Sequence, residues 1–205
     1  VTGAAAGKTF VDYSEETTAV NRAWTVAVWL NYDAASSSHQ MITGRDNSTD
    51  SSSSNHIRLS DTEKLGFYDI SGGVSRTGNT VLNPKTWYRA VFVYNGSDTV
   101  NFYLNGVADG SGTLTSSDAN NNSDLNISLI GGSITSSALD NPFAGKMSDF
   151  QAWQGAWTAD DVEYDYLNPE QLALNRGGTS LTNSNLKLWY PMNEGHRGNQ
   201  SYVLD

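Results

Sequence analysis

The chain has 205 residues, of which 38% are hydrophobic and 17% charged, a size and composition that fit one globular domain of the larger all-β kind. It contains no cysteine, which excludes disulfides, thiolate metal sites and cysteine nucleophiles. Twelve Lys and Arg against 22 Asp and Glu give a formal net charge of -10, which argues against nucleic acid as a partner. No apolar run approaches the roughly 18 residues of a segment that inserts into a membrane.

Short strands separated by Gly, Ser, Asn and Asp are predicted along the first half of the chain. Residues 24–32 alternate between two sets of side chains with the period of two that a strand requires. Because Val26 and Val28 on one face and Trp29 on the other are all bulky, we expect this strand to be central in a sheet. Further strands are predicted at residues 8–13, 39–45, 56–60 and 64–69.

The second half continues with a predicted hairpin, in which Asn95-Gly96 separates β-rich runs at residues 87–94 and 99–104. A second turn signal, Asn105-Gly106, follows directly. More strands are predicted at 125–130, 143–153 and, last, about 186–192.

One helix is predicted, at about residues 158–167. Thr158 can cap it, Asp160 and Asp161 suit its positive N-terminal end, and Asn168-Pro169 ends it. About a dozen short strands with a single helix predict an all-β fold, a two-sheet antiparallel β-sandwich.

Ordered blocks along most of the chain resemble the laminin-G-like members of the concanavalin A-like jelly-roll superfamily. AWTVAVW at 23–29 resembles the family's "FTISAWV" strand, and MITGR at 41–45 resembles its "IISK" strand. TWYRAVFVYNG at 86–96 followed by VNFYLNG at 100–106 is similar to the family's "W-H-x-V-A-x-x-Y-D-G" and "L-x-L-Y-V-D-G" pair. The closing strands and the terminal helix are matched by residues 129–131, 143–145 and 156–162.

Two later segments, residues 160–170 and 186–198, resemble jelly-roll modules in structural proteins of tailed marine phages. We interpret the chain as one laminin-G-like domain, residues 1–205. The matched pattern stops at Asp205 where it would be expected to continue, so we expect a module of a longer polypeptide. The resemblance implies a location on a virion surface or outside the cell.

One polar loop has the spacing of a calcium loop. Asp118, Asn120, Asn122 and Asp124 place oxygen ligands at alternate positions, as a hard cation requires. The loop lacks the glycine and the distal glutamate of an EF-hand, and the residue types favour a polar turn instead. Calcium therefore remains the alternative, kept open because the resembled family includes members that bind calcium at rim loops.

Aromatic side chains are the other candidate contacts, because a sugar ring packs a C–H face on an aromatic ring while its hydroxyls bond to polar groups. Most large aromatics lie in periodic strands, which favours a role in the core. Tyr68 and Asp69, beside a glycine-containing loop, are better placed for an exposed ligand site, and Arg45, Asp46 and Asp50 are assigned to it as well.

An enzyme is not expected. The E-x-D-x-x-E block, which would place a nucleophile and an acid on one strand, does not occur in the sequence, and His39, His56 and His196 lack the spacing of a catalytic or metal site. Two functions stay open: a non-catalytic module that binds a glycan or another cell-surface ligand, and a structural domain of a virion that packs against itself or other virion proteins. A polysaccharide lyase or glycosidase is the third and least supported alternative.

Overall fold

The computed structural model describes residues 23–44, 56–69, 73–114, 125, 127, 129–135 and 138–192. Within them, 14 strands form mainly two antiparallel sheets. In chain order the strands are β1 (Trp24–Tyr32), β2 (Gln40–Met41), β3 (Thr43–Gly44), β4 (His56–Leu59), β5 (Leu65–Asp69), β6 (Val74–Thr77), β7 (Tyr88–Tyr94), β8 (Thr99–Leu104), β9 (Val107–Thr113), β10 (Leu129–Ile130), β11 (Ser133–Thr135), β12 (Ala138–Asp140), β13 (Gly145–Gln154) and β14 (Leu186–Tyr190).

The larger sheet has six strands in the order β14-β13-β1-β7-β8-β9. The smaller sheet has four, in the order β2-β4-β5-β6, and two further pairs, β10-β3 and β11-β12, lie outside these sheets. The expected all-β fold with antiparallel sheets and one helix is confirmed.

The main core lies between the two sheets. Strand β1 contributes Val26, Val28 and Leu30, each 1% exposed or less, and β5 contributes Phe67 from the opposite sheet. Burying such a side chain contributes about 1.5–3 kcal/mol relative to leaving it exposed. The prediction that β1 is central is confirmed, because β1 pairs with both β13 and β7.

A helix covers the other face of the six-stranded sheet, which explains why both faces of β1 are bulky. Helix α1 (Ala159–Leu167) and a short 3-10 helix (Ala173–Asn175) pack there over a second apolar cluster that includes Trp153, Trp157 and Val162. Thr158 caps α1 in a reciprocal capping box with Asp161. No helix of the described residues is long and apolar enough to cross a membrane.

Several predicted boundaries hold and some do not. The turn at Asn105-Gly106 forms as predicted, with φ of 51° and 81° at its two residues, the left-handed values that such a turn needs. The single strand predicted at 39–45 is instead two strands, since β2 pairs with β4 while β3 pairs with β10. The strand predicted at 8–13 lies outside the described residues.

Strand β9 was not predicted, because its sequence, VADGSGT, is rich in small and polar residues. The structure gives a reason for its glycines. A Cβ atom at Gly112 would collide with the side-chain stem of Arg76 from β6, whose Nε donates to the carbonyl of Thr113 at 2.7 Å. Arg76 thereby joins the edge of the smaller sheet to the edge of the larger one.

Candidate functional site

The outward face of the four-stranded sheet carries a cluster of polar and aromatic side chains. Ile57, Leu59, Leu65 and Phe67 point into the core, so strand alternation places the residues between them on the other face. We call this group the outer patch. It comprises His56 and Arg58 of β4, Gly66 and Tyr68 of β5, and Ser75 of β6.

The strand register brings these residues side by side. Arg58 lies opposite Gly66, and Tyr68 lies opposite both His56 and Ser75. The Arg58 guanidinium carbon is 4.8 Å from the centroid of the Tyr68 ring, a cation–π contact. Gly66 leaves room for the Arg58 stem, because a Cβ there would lie 3.3 Å from Arg58 Cγ.

Arg58 is 6% exposed, yet its hydrogen bonding is incomplete. Nη2 donates to the hydroxyl of Ser75 at 3.1 Å, whereas Nε is buried with no acceptor. Ser75 is exposed and Tyr68 is half-buried, so both offer surface on the patch, whereas the Arg58 side chain lies almost wholly beneath it. Burial lowers the pKa of Arg58 below its ordinary value, although nearby Tyr68 and Asp61 oppose this shift.

The charge of Arg58 also affects His39, which lies beside the outer patch. Burial is the main reason that the pKa of His39 is lowered, and the positive charge of Arg58 lowers it further, against the opposing effect of Asp61. Nδ1 of His39 accepts a hydrogen bond from the backbone N–H of Asp61 at 3.0 Å, which requires that nitrogen to be unprotonated. Arg58 therefore acts electrostatically on a neutral His39 at the edge of the outer patch.

The sequence-predicted ligand site falls only partly within the described residues. Tyr68 lies on the outer patch, and Asp69 ends the same strand, though its side chain is not described. The remaining assigned residues lie outside the described residues, so their assignment stays a prediction; these are Arg45, Asp46 and Asp50 for the ligand and Asp118, Asn120, Asn122 and Asp124 for the metal.

Arg58 is the residue that sequence reasoning missed. A signal was present, since the alternation of His56-Ile57-Arg58-Leu59 puts Arg58 on the face opposite the two apolar side chains. His56 was expected at the surface or at a strand end; it is the first residue of β4, but it is 9% exposed.

A second charged cluster lies on the opposite side of the molecule and is structural. Arg89 of β7, 1% exposed, donates through Nε and Nη2 to both carboxylate oxygens of Asp165 on α1, at 2.7 and 2.8 Å. Its Nη2 also lies 2.9 Å from Oδ2 of Asp149 on β13. Burial alone would lower the pKa of Arg89, but the two carboxylates outweigh it and the pKa is raised. The cluster ties α1 to the six-stranded sheet.

The tryptophans divide between core and surface. Trp153 and Trp157 are buried in the second apolar cluster, as their positions in periodic segments indicated. Trp87 and Trp189 are 44% and 39% exposed. Among the described residues, no group of three or more His, Asp or Glu side chains is arranged to hold a metal ion.

Comparisons with known proteins agree with this architecture. Two solved structures of the CBM40 module of the IT-sialidase of Ruminococcus gnavus, the second of them bound to alpha2,6 sialyllactose, are each 11% identical to the chain. They superpose with TM-scores of 0.55 and 0.56, and the matches cover 80% of this chain and 92% and 93% of the modules. At this level of identity the similarity is one of fold.

Two further solved structures share the fold. A Bacteroides ovatus protein provisionally assigned as carbohydrate binding is 18% identical with a TM-score of 0.58; the match covers 83% of this chain, which spans 45% of that protein's length. A heptameric SAP-like pentraxin from Limulus polyphemus is 16% identical with a TM-score of 0.50, covering 71% of this chain and 70% of the pentraxin. No curated protein matches the sequence.

A family model of the laminin-G type, described as the concanavalin A-like lectin/glucanases superfamily, matches residues 5–163. The match extends over most of the chain and agrees with the antiparallel sheets described above. The chain therefore belongs to the concanavalin A-like lectin/glucanase superfamily.

Proposed function

We propose that the chain is a non-catalytic module that binds carbohydrate on the outer patch. The observation that carries the proposal is half-buried Tyr68 beside Arg58, whose Nε has no acceptor, on a sheet face that also presents exposed Ser75. An aromatic ring next to unfilled hydrogen-bonding groups suits a sugar, which has an apolar C–H face and hydroxyls at its edge.

The relatives support the class of ligand. The Ruminococcus module is bound to sialyllactose in one of its structures, and the Bacteroides protein is provisionally assigned to carbohydrate binding. We transfer from them only the ligand class, a glycan.

Support for a non-catalytic role comes from the carboxylates. Asp149 and Asp165 bind Arg89 and so tie α1 to the sheet, and Asp161 binds Arg176 and so ties α1 to the end of the 3-10 helix. A retaining glycosidase instead needs two carboxyl groups about 5 Å apart that flank the bond to be cleaved. The strand block that would supply them is missing from the sequence.

The test is a glycan array followed by titration of the best ligand against two variants. Tyr68→Ala removes the ring on the outer patch, and we expect it to weaken binding by about tenfold or more, equivalent to about 1.4 kcal/mol. Tyr164→Ala is the matched control, because it truncates another half-buried tyrosine, on α1, and should leave binding unchanged. An array without signal above an unrelated β-sandwich, or equal losses in both variants, would contradict the proposal.

The segment from Asp118 to Asp124 is the candidate calcium site. An ion bound only by the folded chain raises the melting temperature by mass action. If this segment holds a calcium ion, unfolding in millimolar calcium will occur at a higher temperature than in EDTA, and substitution of Asp118 and Asp124 by Asn will remove the difference. Equal melting temperatures in the two buffers would exclude calcium as a tight ligand of the fold.

A second candidate function is assembly, as a domain of a virion or an extracellular protein. It is supported by exposed apolar side chains on α1 and on the six-stranded sheet or beside it, and by the likeness of residues 160–170 and 186–198 to phage structural modules. Trp87, Val107, Leu167 and Trp189 are 44%, 68%, 64% and 39% exposed. Sedimentation at increasing protein concentration tests the assembly function. Self-association that Trp87→Ser abolishes would support it. A monomer at all concentrations would oppose self-association.

A further inference from the structure

Arg58 differs from Arg89 and Arg176, whose guanidinium groups are hydrogen-bonded to carboxylates. Arg89 is paired with Asp165 and Asp149, and Arg176 donates through Nε to Asp161 at 2.7 Å. Arg58 is 6% exposed, but no acidic side chain of the described part of the chain forms an ion pair with it. Among the described residues, it is a buried cation without a counter-charge in contact.

Such an arrangement costs stability. Taking a guanidinium out of water is unfavourable by several kcal/mol unless a partner replaces the lost hydration. The direction of the Arg58 pKa shift, downward and caused first by burial, reflects the same cost. Its contacts with Tyr68 and Ser75 join β4, β5 and β6 but leave the charge without a carboxylate, so a partner of opposite charge gains by binding beside it.

The chemistry of that partner follows from the geometry of Arg58. A guanidinium offers planar pairs of N–H groups that match the two oxygens of a carboxylate. Nη2 is oriented by Ser75, and the guanidinium carbon lies 4.8 Å from the centroid of the Tyr68 ring, while the buried Nε keeps a donor without an acceptor.

We propose that the outer patch selects carboxylate-bearing sugars, with the carboxylate paired to Arg58 and the sugar ring beside Tyr68. The proposal rests on the proposed carbohydrate-binding function and narrows its ligand class. The net charge of -10 taken alone disfavours an acidic glycan. Distant acidic groups oppose such a ligand only weakly, because charges beyond a Debye length of about 8 Å are largely screened at physiological ionic strength; among the described residues, Asp61 is the acidic side chain that acts on Arg58.

The test compares acidic sugars with their neutral counterparts. The probes are sialyllactose against lactose, and trigalacturonate against its carboxyl-reduced form, titrated calorimetrically into the intact chain, Arg58→Gln and Arg58→Lys. For at least one pair we expect the acidic sugar to bind about tenfold more tightly. Arg58→Gln should abolish that preference, and Arg58→Lys, which keeps the charge but not the planar fork, should retain only part of it. Added salt should weaken the acidic sugar alone.

The melting temperature of the ligand-free protein shows whether Arg58 stabilises the fold or serves a ligand. If Arg58 serves a ligand, Arg58→Gln removes an unpaired buried charge, and the melting temperature of the free protein should be unchanged or higher. A marked fall in melting temperature would assign Arg58 to the fold and overturn the inference.

The outcomes separate this inference from the proposal on which it rests. Equal binding of acidic and neutral sugars, both lost in Tyr68→Ala, would overturn the preference while leaving carbohydrate binding intact. A preference that survives Arg58→Gln would also overturn it, because the anion would then bind elsewhere. Absence of binding to every glycan on an array would overturn both.

Discussion

Replacing Asp165 by Asn should destabilise the fold strongly, because this change breaks a buried ion pair without removing the cation. Arg89 and Asp165 are 1% and 2% exposed and share two hydrogen bonds. Removing one member of such a pair costs about 3–5 kcal/mol. Asp149 remains 2.9 Å from Arg89 Nη2 and continues to neutralise it. We therefore expect the lower end, about 3 kcal/mol.

Asp160→Asn is the matched control. It makes the same chemical change on the same helix, but the Asp160 side chain is 78% exposed and its oxygen lies 3.7 Å from Arg176. Exposed pairs of this kind contribute about 0–1 kcal/mol. The two variants thus separate burial from the mere loss of a charge on α1.

Denaturant unfolding followed by tryptophan fluorescence gives the free energies, and thermal unfolding gives an independent reading. For a chain of this size, about 3 kcal/mol corresponds to a fall in melting temperature of about 6–12 °C. If Asp165→Asn costs no more than Asp160→Asn, Arg89 does not depend on Asp165, and the argument that this cluster ties α1 to the sheet is wrong.

Two further predictions concern pH and packing. Burial alone would raise the pKa of Asp161, but hydrogen bonds from Arg176 and the helix cap outweigh it and lower the pKa. This carboxylate therefore stabilises the fold above its ordinary pKa of about 3.9 and stops doing so as the pH falls through the folded value. Denaturant unfolding below about pH 4 should show a weaker pH dependence in Asp161→Asn than in the unchanged chain. Gly44→Ala should lower the free energy of unfolding by about 1–3 kcal/mol, because the added Cβ would collide with the backbone carbonyl of Gly132. Gly177→Ala is the control and should have little effect, since no atom lies within 4 Å of the added Cβ. Equal stability of the two variants in denaturant unfolding would contradict the predicted collision at Gly44.

The elements most accurately predicted are those whose signals are local. The limits of β1 and β8 were predicted to the residue, since alternation and an Asn-Gly turn act within a few positions. The cap of α1 at Thr158 was predicted for the same reason. Strands β6 and β9 were missed because their sequences, VSRT and VADGSGT, contain few strand-forming residues; they form by pairing with β5 and β8, and Arg76 links them over 37 positions.

The candidate site shows the same division. Tyr68 was singled out from the sequence by its neighbouring turn residues, but its partner Arg58 became visible only when β4 and β5 were paired. The calcium loop could be formulated from spacing alone, and it stays a prediction.

By itself, the sequence determined the class of fold, through side-chain periodicity, turn residues and the acidic start of one helix, all of which act between near neighbours along the chain. Only the tertiary structure decided which charges are paired. Arg89 finds Asp165 at a distance of 76 positions, whereas Arg58, equally placed on a strand, finds no carboxylate among the described residues. The physical reason is that burial and counter-charges depend on which distant segments meet, and local periodicity carries no information about that.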